Sequence, residues 1–488
     1  MTSTGTAAPD TAPDRGFFGH PRPLANLFGV EMWERFSFYG MQGILLIYLY
    51  YSAAEGGLGI SEATATQIVG AYGGGVYLAT IVGAWLADRV LGPERTLFYA
   101  AVVVMLGHVA LSTLPGTTGV AVGLVLVALG SGGVKANASS LVGSLYAEDD
   151  ERRDGGFSLF YMGINLGAFV GPLLTGLLQE SWGFHYGFAL AAVGMAAGLV
   201  QYSIGRRRLP EETRVPPHPL EPRERVRYAA AAVAVVALVA VLWLAGVITA
   251  DNLSDVVIWA TAVAAVAYFA LLLASRQVSG VERSRVWSFV PLFVANVVFW
   301  SLYQQQFTVV TIYSDKRLDR SLFGWEMPVS WVQSINPVFI ILLAPVFAAA
   351  WTRLGPRQPS TPVKFAIGTV LMGLAFLMFL PVPPGEHAAP LIALAVILLV
   401  FTLAELFISP VGLSLSTKLA PQRFTTQMVA LYFLSIALGT ALSGKLAGYY
   451  DWHDERSYFL VLGLVAIGVG LLLLAVRNPI RRLMAAVH

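Results

Sequence analysis

Long stretches without a charged side chain dominate the sequence. Residues 96–134, for example, contain no Asp, Glu, Lys or Arg, and Pro115-Gly116 divides them into two apolar segments. Within such stretches the apolar residues are continuous and do not alternate with polar ones, so membrane-spanning helices are favoured over the strands of a β-barrel. Because a helix needs about 20 apolar residues to cross a bilayer, the pattern predicts fourteen spans. They cover residues 24–51, 62–91, two segments within 96–134, 155–179, 181–205, 228–250, 256–275, 286–313, 328–353, 365–385, 387–404, 424–450 and 457–476.

The composition agrees with an all-α membrane protein. Charged residues make up 12% of the 488-residue chain, against about a quarter in soluble domains, and the mean hydropathy is +0.67. These values exclude an ordinary soluble enzyme and a disordered chain. The absence of cysteine excludes a thiol nucleophile, an iron–sulfur cluster and a disulfide-stapled domain. A net charge of +2 gives no reason to expect nucleic acid as a partner.

The distribution of basic residues predicts the orientation in the membrane. Most of the 31 Lys and Arg residues fall at one end of the predicted spans, and only Lys316, Arg317, Arg320 and Arg456 fall at the other end. The positive-inside rule then places both termini in the cytoplasm of a cell whose plasma membrane holds the chain. Residues 1–23 are expected to form a cytoplasmic tail, and the Arg- and Ala-rich composition indicates a bacterial source.

A faint internal repeat predicts two related halves. Residues 164–176 resemble 436–448, and 85–93 resemble 351–356, at nearly the same offset. We therefore expect a six-helix bundle in 24–208 and another in 286–488, with residues 209–285 forming a linker with two inserted helices. Such parallel repeats are typical of the major facilitator fold.

The first span carries three ionisable residues, Glu31, Glu34 and Arg35. Spacings of three and four place Glu31 beside the other two on one helical face. Because charges inside a membrane are costly, they are functional candidates by default, and a carboxylate that exchanges partners or hydration can carry a proton. The alternative is a cytoplasmic cap, since the span begins near residue 24.

Two further charges interrupt apolar spans. Lys135 follows the small residues 130–133, and its ammonium requires an anion, while Glu405 is isolated in an apolar run. The alternative for each is a snorkelling or structurally paired charge. Polar or aromatic residues that are candidates to line a pocket, with helix packing as the alternative, are Asn165, Asn336, Tyr39, Tyr72, Tyr77, Trp300 and Tyr432.

The end of the second span carries a glycine-bounded charged motif, Gly83-x4-Asp88-Arg89-x2-Gly92. Asp88 at a helix end can bind a neighbouring helix N-terminus or an arginine and so hold one conformation; the alternative is a role in topology only. No nucleotide loop, metal-binding spacing or catalytic triad occurs, so we expect no catalytic residue, no metal site and no cofactor. His108, in mid-span without a ligand partner nearby, is interpreted as a packing residue.

Several motifs resemble those of the proton-dependent oligopeptide transporter (POT) family of the major facilitator superfamily. Residues 31–40 (EMWERFSFYG) resemble E-x-x-E-R-F-x-Y-Y-G, and residues 132–137 (GGVKAN) resemble G-x-x-K-P-N. Residues 160–167 (FYMGINLG) are similar to F-Y-x-x-I-N-x-G, and Phe299-Trp300 and 405–412 (ELFISPVG) match two segments of the second half. The resemblance extends over the whole chain, including the inserted helix pair.

The resemblance implies a proton-coupled symporter that imports di- and tripeptides by alternating access, driven by the proton gradient and functional as a monomer. It implies proton coupling by Glu31, Glu34 and Arg35, and binding of the peptide carboxylate by Arg35 and Lys135. It implies an amine site at Glu405, Asn165 and Asn336, and side-chain pockets at Tyr39, Tyr77, Trp300 and Tyr432.

The sequence departs from the family at a predicted gate. Gln42 and Gln304 stand where many members have Arg and Glu, so the gate is expected to lack an ion pair and to rely on two amides exchanging hydrogen bonds, with Asp88 and Arg89 as further gate residues. Alternative functions are transport of nitrate, amino acids or peptide-like drugs, or a receptor on a transporter fold. Glu405 argues against a pure anion carrier, and a receptor has little need for so many buried charges.

Overall fold

The computed structural model describes residues 16–147 and 150–485, so the predictions for residues 1–15 lie outside the described part. Helices predominate, as predicted, with one two-residue hairpin formed by β1 (Ser321–Leu322) and β2 (Trp325–Glu326). The first half contains α1 (Arg22–Tyr50), α2 (Glu62–Leu86), α3 (Pro93–Thr113), α4 (Gly116–Gly143), α5 (Arg153–Trp182) and α6 (Phe184–Gly205). Two helices follow, α7 (Pro222–Leu244) and α8 (Leu253–Ala274). The second half contains α9 (Gly280–Tyr303), α10 (Val309–Lys316), α11 (Ile335–Leu354), α12 (Thr361–Leu377), α13 (Leu391–Leu419), α14 (Thr425–Ala447), α15 (Arg456–Ala475) and α16 (Arg477–Leu483).

The helices account for the predicted spans. Among the described residues, twelve are long and apolar enough to cross a membrane. Two more helices occupy predicted positions: α1, which has 29 residues and holds three internal charges, and α12, which has 17 residues. The prediction of an all-α membrane protein is confirmed.

Each half of the chain forms its own bundle. In the first half α1 packs on α5 and α6, and α4 packs on α2 and α3; in the second half α12 packs on α13 and α15, and α9 packs on α14. Residues 164–176 lie in α5 and residues 436–448 lie in α14, the fifth span of each half. The sequence repeat therefore marks structurally equivalent helices.

Two seams join the halves. We call the face where α1 begins and α16 lies the terminal face, and the face where α1 ends and α2 begins the distal face. The helix pairs α2–α14 and α5–α11 form the seams, and each pairs the second span of one half with the fifth span of the other. Between described residues, every hydrogen bond and ion pair that joins the halves directly lies toward the distal face.

The two seams are built differently. Along α2–α14 the backbones nearly touch, because a methyl group at Gly70 would lie 2.5 Å from the Cα of Gly444. Along α5–α11, side chains bind main-chain carbonyls: Ser330 Oγ donates to Pro172 O at 2.9 Å, and Trp331 Nε1 donates to Leu173 O at 3.0 Å. The halves are therefore closed against each other at the distal face.

The inserted helices lie outside the bundles. None of the residues of α7 is buried, whereas α8 packs against both α14 and α2. Ser254 Oγ on α8 donates to Gln67 O at 2.8 Å, and Asp255 pairs with Lys445 at 2.7 Å. The second inserted helix thus lies along the α2–α14 seam.

Two predicted spans were wrong, one in its continuity and one in its end. The span predicted at 286–313 is broken, because α9 ends at Tyr303 and a 3₁₀ turn, Gln304–Phe307, leads to Thr308 with φ −125° and ψ −87° before α10 begins. The span predicted to end at residue 404 continues to Leu419 as α13. The predicted end was set by the charge of Glu405, which the fold accommodates inside the helix.

Candidate functional site

The charged residues of α1 form a compact buried cluster. Arg35 Nη2 lies 2.7 Å from Glu31 Oε1, and Arg35 Nε lies 2.8 Å from the same oxygen and 3.2 Å from Glu34 Oε2. All three residues are less than 5% exposed. Their helical spacing makes the Glu31–Arg35 contact local to α1, and their burial rules out a solvated helix cap.

The α4 helix supplies a fourth member. Ser131 Oγ donates to Glu34 Oε1 at 2.6 Å. Glycines allow this approach, because a methyl group at Gly132 would lie 2.5 Å from Ala79 on α2. Sequence reasoning missed Ser131, although it lies four residues before Lys135 and therefore one turn away on the same face.

Lys135 makes no ion pair with any described residue. Its Nζ lies 5.2 Å from the ring centroid of Phe38 and 5.4 Å from that of Tyr77, within the range of cation–π attraction. Arg35 Nη1 is also buried without a described hydrogen-bond partner. Among the described residues, Lys135 therefore has no glutamate of α1 as its ion-pair partner, and its ammonium and Arg35 Nη1 remain available to an anion.

Glu405 lies in a second cluster, in the second half. Glu405 is 9% exposed, and its Oε2 accepts a hydrogen bond of 2.6 Å from Tyr303 Oη. Asn336 Nδ2 lies 3.4 Å from the same oxygen and donates to Thr402 Oγ1 at 2.9 Å. The predicted Glu405–Asn336 grouping is present. Tyr303 and Thr402 were missed, although Thr402 precedes Glu405 by one helical turn.

A small cavity of about 30 Å³ lies between the halves. Five residues with predicted roles line it. Tyr39 and Tyr77 were predicted for side-chain pockets, Lys135 for the peptide carboxylate, and Gln42 and Gln304 for the gate. The remaining lining residues are Phe38, Val69, Gly70, Gly73, Val76, Phe307, Thr308, Thr440 and Ser443. Phe307 and Thr308 belong to the break between α9 and α10, which sequence reasoning did not detect.

Aromatic pairs connect the two clusters across the cavity. The ring of Tyr39 stacks on that of Phe307 at 6.0 Å, and Tyr77 contacts Trp300 at 6.5 Å. Both tyrosines lie within electrostatic range of Arg35 on one side and Glu405 on the other. Of the charged residues in the two clusters, Lys135 lines the cavity, and Arg35 and Glu405 act on it through their electrostatic effect on Tyr39 and Tyr77.

Some predicted pocket residues are directed elsewhere. Asn165 Nδ2 donates to Tyr161 O of its own helix at 2.9 Å, and its described hydrogen bonds do not reach Glu405. Tyr432 Oη donates to Ser409 O at 3.4 Å, and its ring packs on Gly412. Tyr72 stacks on Phe38 behind the cavity wall.

The predicted gate pairs differ from expectation. Gln42 and Gln304 line the same cavity, but no hydrogen bond joins them among the described residues, and Gln42 Oε1 has no partner. Asp88 pairs with His218 at 2.8 Å and Arg89 pairs with Glu224 at 3.2 Å. His218 lies in the connection between α6 and α7, and Glu224 lies in the first turn of α7. The motif therefore contacts the linker region, and the partner of the Asp88 carboxylate is a histidine and not the helix N-terminus or arginine that we expected.

Known proteins with the same architecture are similar along the whole chain. The chain is 43% identical over 481 residues to the uncharacterised transporter YclF of Bacillus subtilis, covering 98% of both chains. It is 40% identical to a di-/tripeptide transporter of Lactococcus lactis, covering 97% of this chain and 99% of the other. A crystal structure of a mutant peptide transporter in complex with alafosfalin matches with a TM-score of 0.92 and 44% identity, covering 97% of this chain and 98% of the other.

A family model gives the same assignment. The model of the POT family matches residues 94–469, which include the Lys135, Glu405 and Asn336 positions. The resemblance drawn from the sequence motifs is confirmed, as is the major facilitator fold that it implies. This multi-pass membrane protein belongs to the POT family of peptide transporters.

Proposed function

We propose that the protein is a proton-coupled symporter that moves di- and tripeptides through the membrane by alternating access. The observation that carries the proposal is the pair of clusters, one in each half, with the cavity between the halves. Lys135 Nζ and Arg35 Nη1 have no carboxylate partner among the described residues, and Glu405 is a buried acid on the other half. A short peptide is a zwitterion whose ends match this arrangement.

The carboxylate of the peptide is proposed to bind between Lys135 Nζ and Arg35 Nη1. Arg35 already uses Nε and Nη2 on the glutamates of α1, which fixes its plane and leaves Nη1 to the ligand. Such charge-assisted hydrogen bonds are stronger than neutral ones. The position of Lys135 between two aromatic rings holds the ammonium at the cavity without neutralising it.

The amino group of the peptide is proposed to bind Glu405. Tyr303 and Asn336 hold one carboxylate oxygen, which leaves the other for an ammonium. Asn165 completes the proposed amine site after a rotation away from Tyr161 O. Tyr39 and Tyr77 line the space in which the side chains would lie, and Trp300 packs on Tyr77; their aromatic faces suit varied apolar groups. Tyr432 would join this proposed pocket after turning away from Ser409 O.

Proton coupling follows from the balance of formal charges. Glu31, Glu34 and Glu405 contribute three negative charges, and Arg35 and Lys135 contribute two positive charges. A zwitterionic peptide adds no net charge, so the loaded site becomes neutral when it takes up one proton. Burial of net charge in a membrane is costly, and Glu31 and Glu34, which share one guanidinium, are the proposed proton sites.

The terminal face is proposed to be cytoplasmic, in the plasma membrane of a bacterium. Most Lys and Arg residues lie at that face, as the positive-inside rule requires. The chain then has its external entrance closed. One copy of the chain contains both clusters and the cavity, which supports function as a monomer.

Counterflow of labelled dialanine in proteoliposomes tests the proposal. Liposomes preloaded with unlabelled dialanine should accumulate the label, and an inward proton gradient should drive net uptake without preloading. Nitrate or single amino acids as the preloaded solute should not support exchange. Absence of dialanine exchange would reject peptide transport, and exchange without any response to the gradient would reject proton coupling.

A further inference from the structure

A contact through a buried carboxylate joins the two halves at a position away from the cavity and nearer the distal face. Asp315, in the last turn of α10, is 6% exposed. Its Oδ2 accepts a hydrogen bond of 2.7 Å from Tyr50 Oη, and its Oδ1 accepts one of 2.6 Å from Tyr51 Oη. Both tyrosines lie at the end of α1, so this carboxylate ties the first half to the second.

The carboxylate is held on its own half by neighbouring contacts. Lys316 Nζ lies 3.0 Å from Asp315 Oδ2. The next residue, Arg317, pairs with Glu455 at 2.9 Å and donates to the carbonyls of Pro383 and Gly385. The end of α10 is therefore anchored to the second half, and separation of the halves must break the bonds to the two tyrosines.

Other contacts between the halves at the distal face are of a different kind. The hydroxyl and indole donors of the 3₁₀ turn Val329–Ser334, just before α11, bind neutral main-chain carbonyls, and Arg320 approaches Glu180 only to 3.9 Å. Among the described residues, Asp315 is thus the one carboxylate with hydrogen bonds under 3 Å to the opposite half. Charge-assisted bonds of this length are the strong ones.

The location of Asp315 also links it to the cavity. It lies two turns beyond Thr308, where the chain breaks between α9 and α10. Phe307 and Thr308 line the cavity, and Phe307 stacks on Tyr39. Because the helix is interrupted there, α10 can move with the distal entrance while α9 keeps Trp300 and Tyr303 at the site.

We propose that Asp315, with Tyr50 and Tyr51, is the latch that holds the distal entrance closed. Asp315 is a positioning residue for transport, since it stabilises one conformation and does not touch the peptide. The role of the latch in transport rests on the proposed function, but closure of the distal entrance can be measured without any substrate. The expected gate pair Gln42–Gln304 lacks a mutual hydrogen bond, and among the described residues the latch is the charge-assisted contact under 3 Å that closes the distal face.

The absence of cysteine from the chain allows a direct test. Ser443 lines the cavity, is 1% exposed and bonds only within its own helix, so Ser443→Cys serves as a reporter. Its rate of labelling by a membrane-impermeant maleimide is measured in right-side-out and inside-out vesicles. Asp315→Asn and the double variant Tyr50→Phe/Tyr51→Phe should each raise labelling from the distal side by about tenfold or more.

The controls separate the possible outcomes. Asp319→Asn changes an exposed acid just beyond α10, whose carboxylate accepts a hydrogen bond from Ser321 N, and should leave the rate unchanged. A misfolded variant would be labelled faster from both sides, whereas an opened latch changes the distal side alone. Unchanged distal labelling in both latch variants would overturn the proposal, even if dialanine transport is intact. Raised distal labelling in a protein that moves no peptide would retain the latch and reject the proposed function.

Discussion

The two charged clusters of the cavity are built on opposite plans. In the first half, Glu31, Glu34 and Arg35 lie within two helical turns of α1, and each charge has a charged neighbour. In the second half, Glu405 stands on α13 and is held by two neutral donors from other helices, Tyr303 and Asn336. One cluster is local in sequence and ionic, while the other is assembled from three helices and otherwise neutral.

This difference separates two kinds of task. A cluster of several charges can change its protonation and its pairing, because each member has alternative partners. A lone carboxylate fixed by neutral donors has one missing partner, an ammonium. The first plan suits proton coupling and the second suits recognition, and the following experiments test this division.

The largest effect is expected from neutralising the proton sites. Glu31→Gln and Glu34→Gln should each abolish accumulation of labelled dialanine under an imposed proton gradient, because the loaded site can no longer take up a proton. Counterflow needs no net proton movement and should persist in part. The comparison of these two assays for each variant is the measurement.

Glu212→Gln is the matched control, since Glu212 is exposed in the linker between α6 and α7. It should behave as the wild type in both assays. Gradient-driven uptake retained in both Glu31→Gln and Glu34→Gln would show that these residues do not carry the proton.

The next effect concerns the free ammonium of the first cluster. Lys135→Ala removes a partner of the peptide carboxylate without touching the contacts of Arg35 with the glutamates. Loss of one partner of a buried charge pair costs about 2–5 kcal/mol, so the Kd of dialanine should rise at least about 30-fold. Isothermal titration in detergent measures it.

Arg35→Ala should weaken binding as well. It also removes the cation that pairs with Glu31 and Glu34, so Lys135→Ala is easier to interpret. Lys445→Ala, at the distal end where Lys445 pairs with Asp255, is the control and should bind normally. Normal binding by Lys135→Ala would mean that the carboxylate lies elsewhere.

Removal of Glu405 should weaken recognition of the peptide amine. In Glu405→Ala, the Kd of dialanine should rise toward the lower end of the same 2–5 kcal/mol range, because Tyr303 and Asn336 keep oxygens that can accept from an ammonium. N-acetyl dialanine lacks the ammonium and should bind the wild type poorly.

The decisive comparison uses both ligands on both proteins. Acetylation should cost much affinity in the wild type and little more in Glu405→Ala. An equal loss in the two proteins would show that Glu405 does not bind the amine.

A smaller effect is expected from one hydroxyl of the second cluster. Tyr303→Phe removes the 2.6 Å hydrogen bond to Glu405, which is worth about 1.5 kcal/mol or somewhat more. The KM of dialanine should rise roughly tenfold, with little change for N-acetyl dialanine. Tyr313→Phe is a matched control, because the buried hydroxyl of Tyr313 has no described partner. An unchanged KM in Tyr303→Phe would mean that the bond does not prepare the amine site.

The smallest effect concerns the two amides between the clusters. Gln42→Arg should impair uptake by adding an unpaired charge to the cavity, and Gln304→Glu in the same chain should restore part of it. A double-mutant cycle on dialanine uptake should give a coupling above about 0.5 kcal/mol. Simple additivity would show that the two positions do not act on each other across the cavity.

The local cluster is also the one that the sequence could predict. Glu31, Glu34 and Arg35 are adjacent on one helix face by spacing alone, and the structure brings them together. Asn336 joins Glu405 as the family motifs implied. Tyr303, Ser131 and Thr402 were missed because each acts through a partner on another helix or through a side-chain direction that spacing does not fix.

The fold was predictable to the same extent. The apolar stretches, the repeat and the inserted pair gave the helices and halves, because lipid forces each span to be apolar and helical. The predicted end of α13 was wrong because charge counts cannot distinguish a buried, hydrogen-bonded Glu405 from a helix end. The break after α9 was missed because residues 304–308 contain no glycine, proline or charge that would indicate it. The contacts of Asp88 and Arg89 with the linker depend on a long-range arrangement that no local pattern encodes.

The position of α8 has a consequence for the surrounding lipid. Along α2–α14 the glycines bring main-chain carbonyls such as Thr66 O and Ala441 O close to the opposing backbone, and no large side chain fills the space between. Val257 of α8 lies against Gly74 on the outer side of this line. If the narrow cleft between α2 and α14 widened and a lipid acyl chain entered it, the chain would hold the two helices apart. Solutes could then leak past the peptide path. We therefore expect α8 to exclude lipid from the contact between α2 and α14.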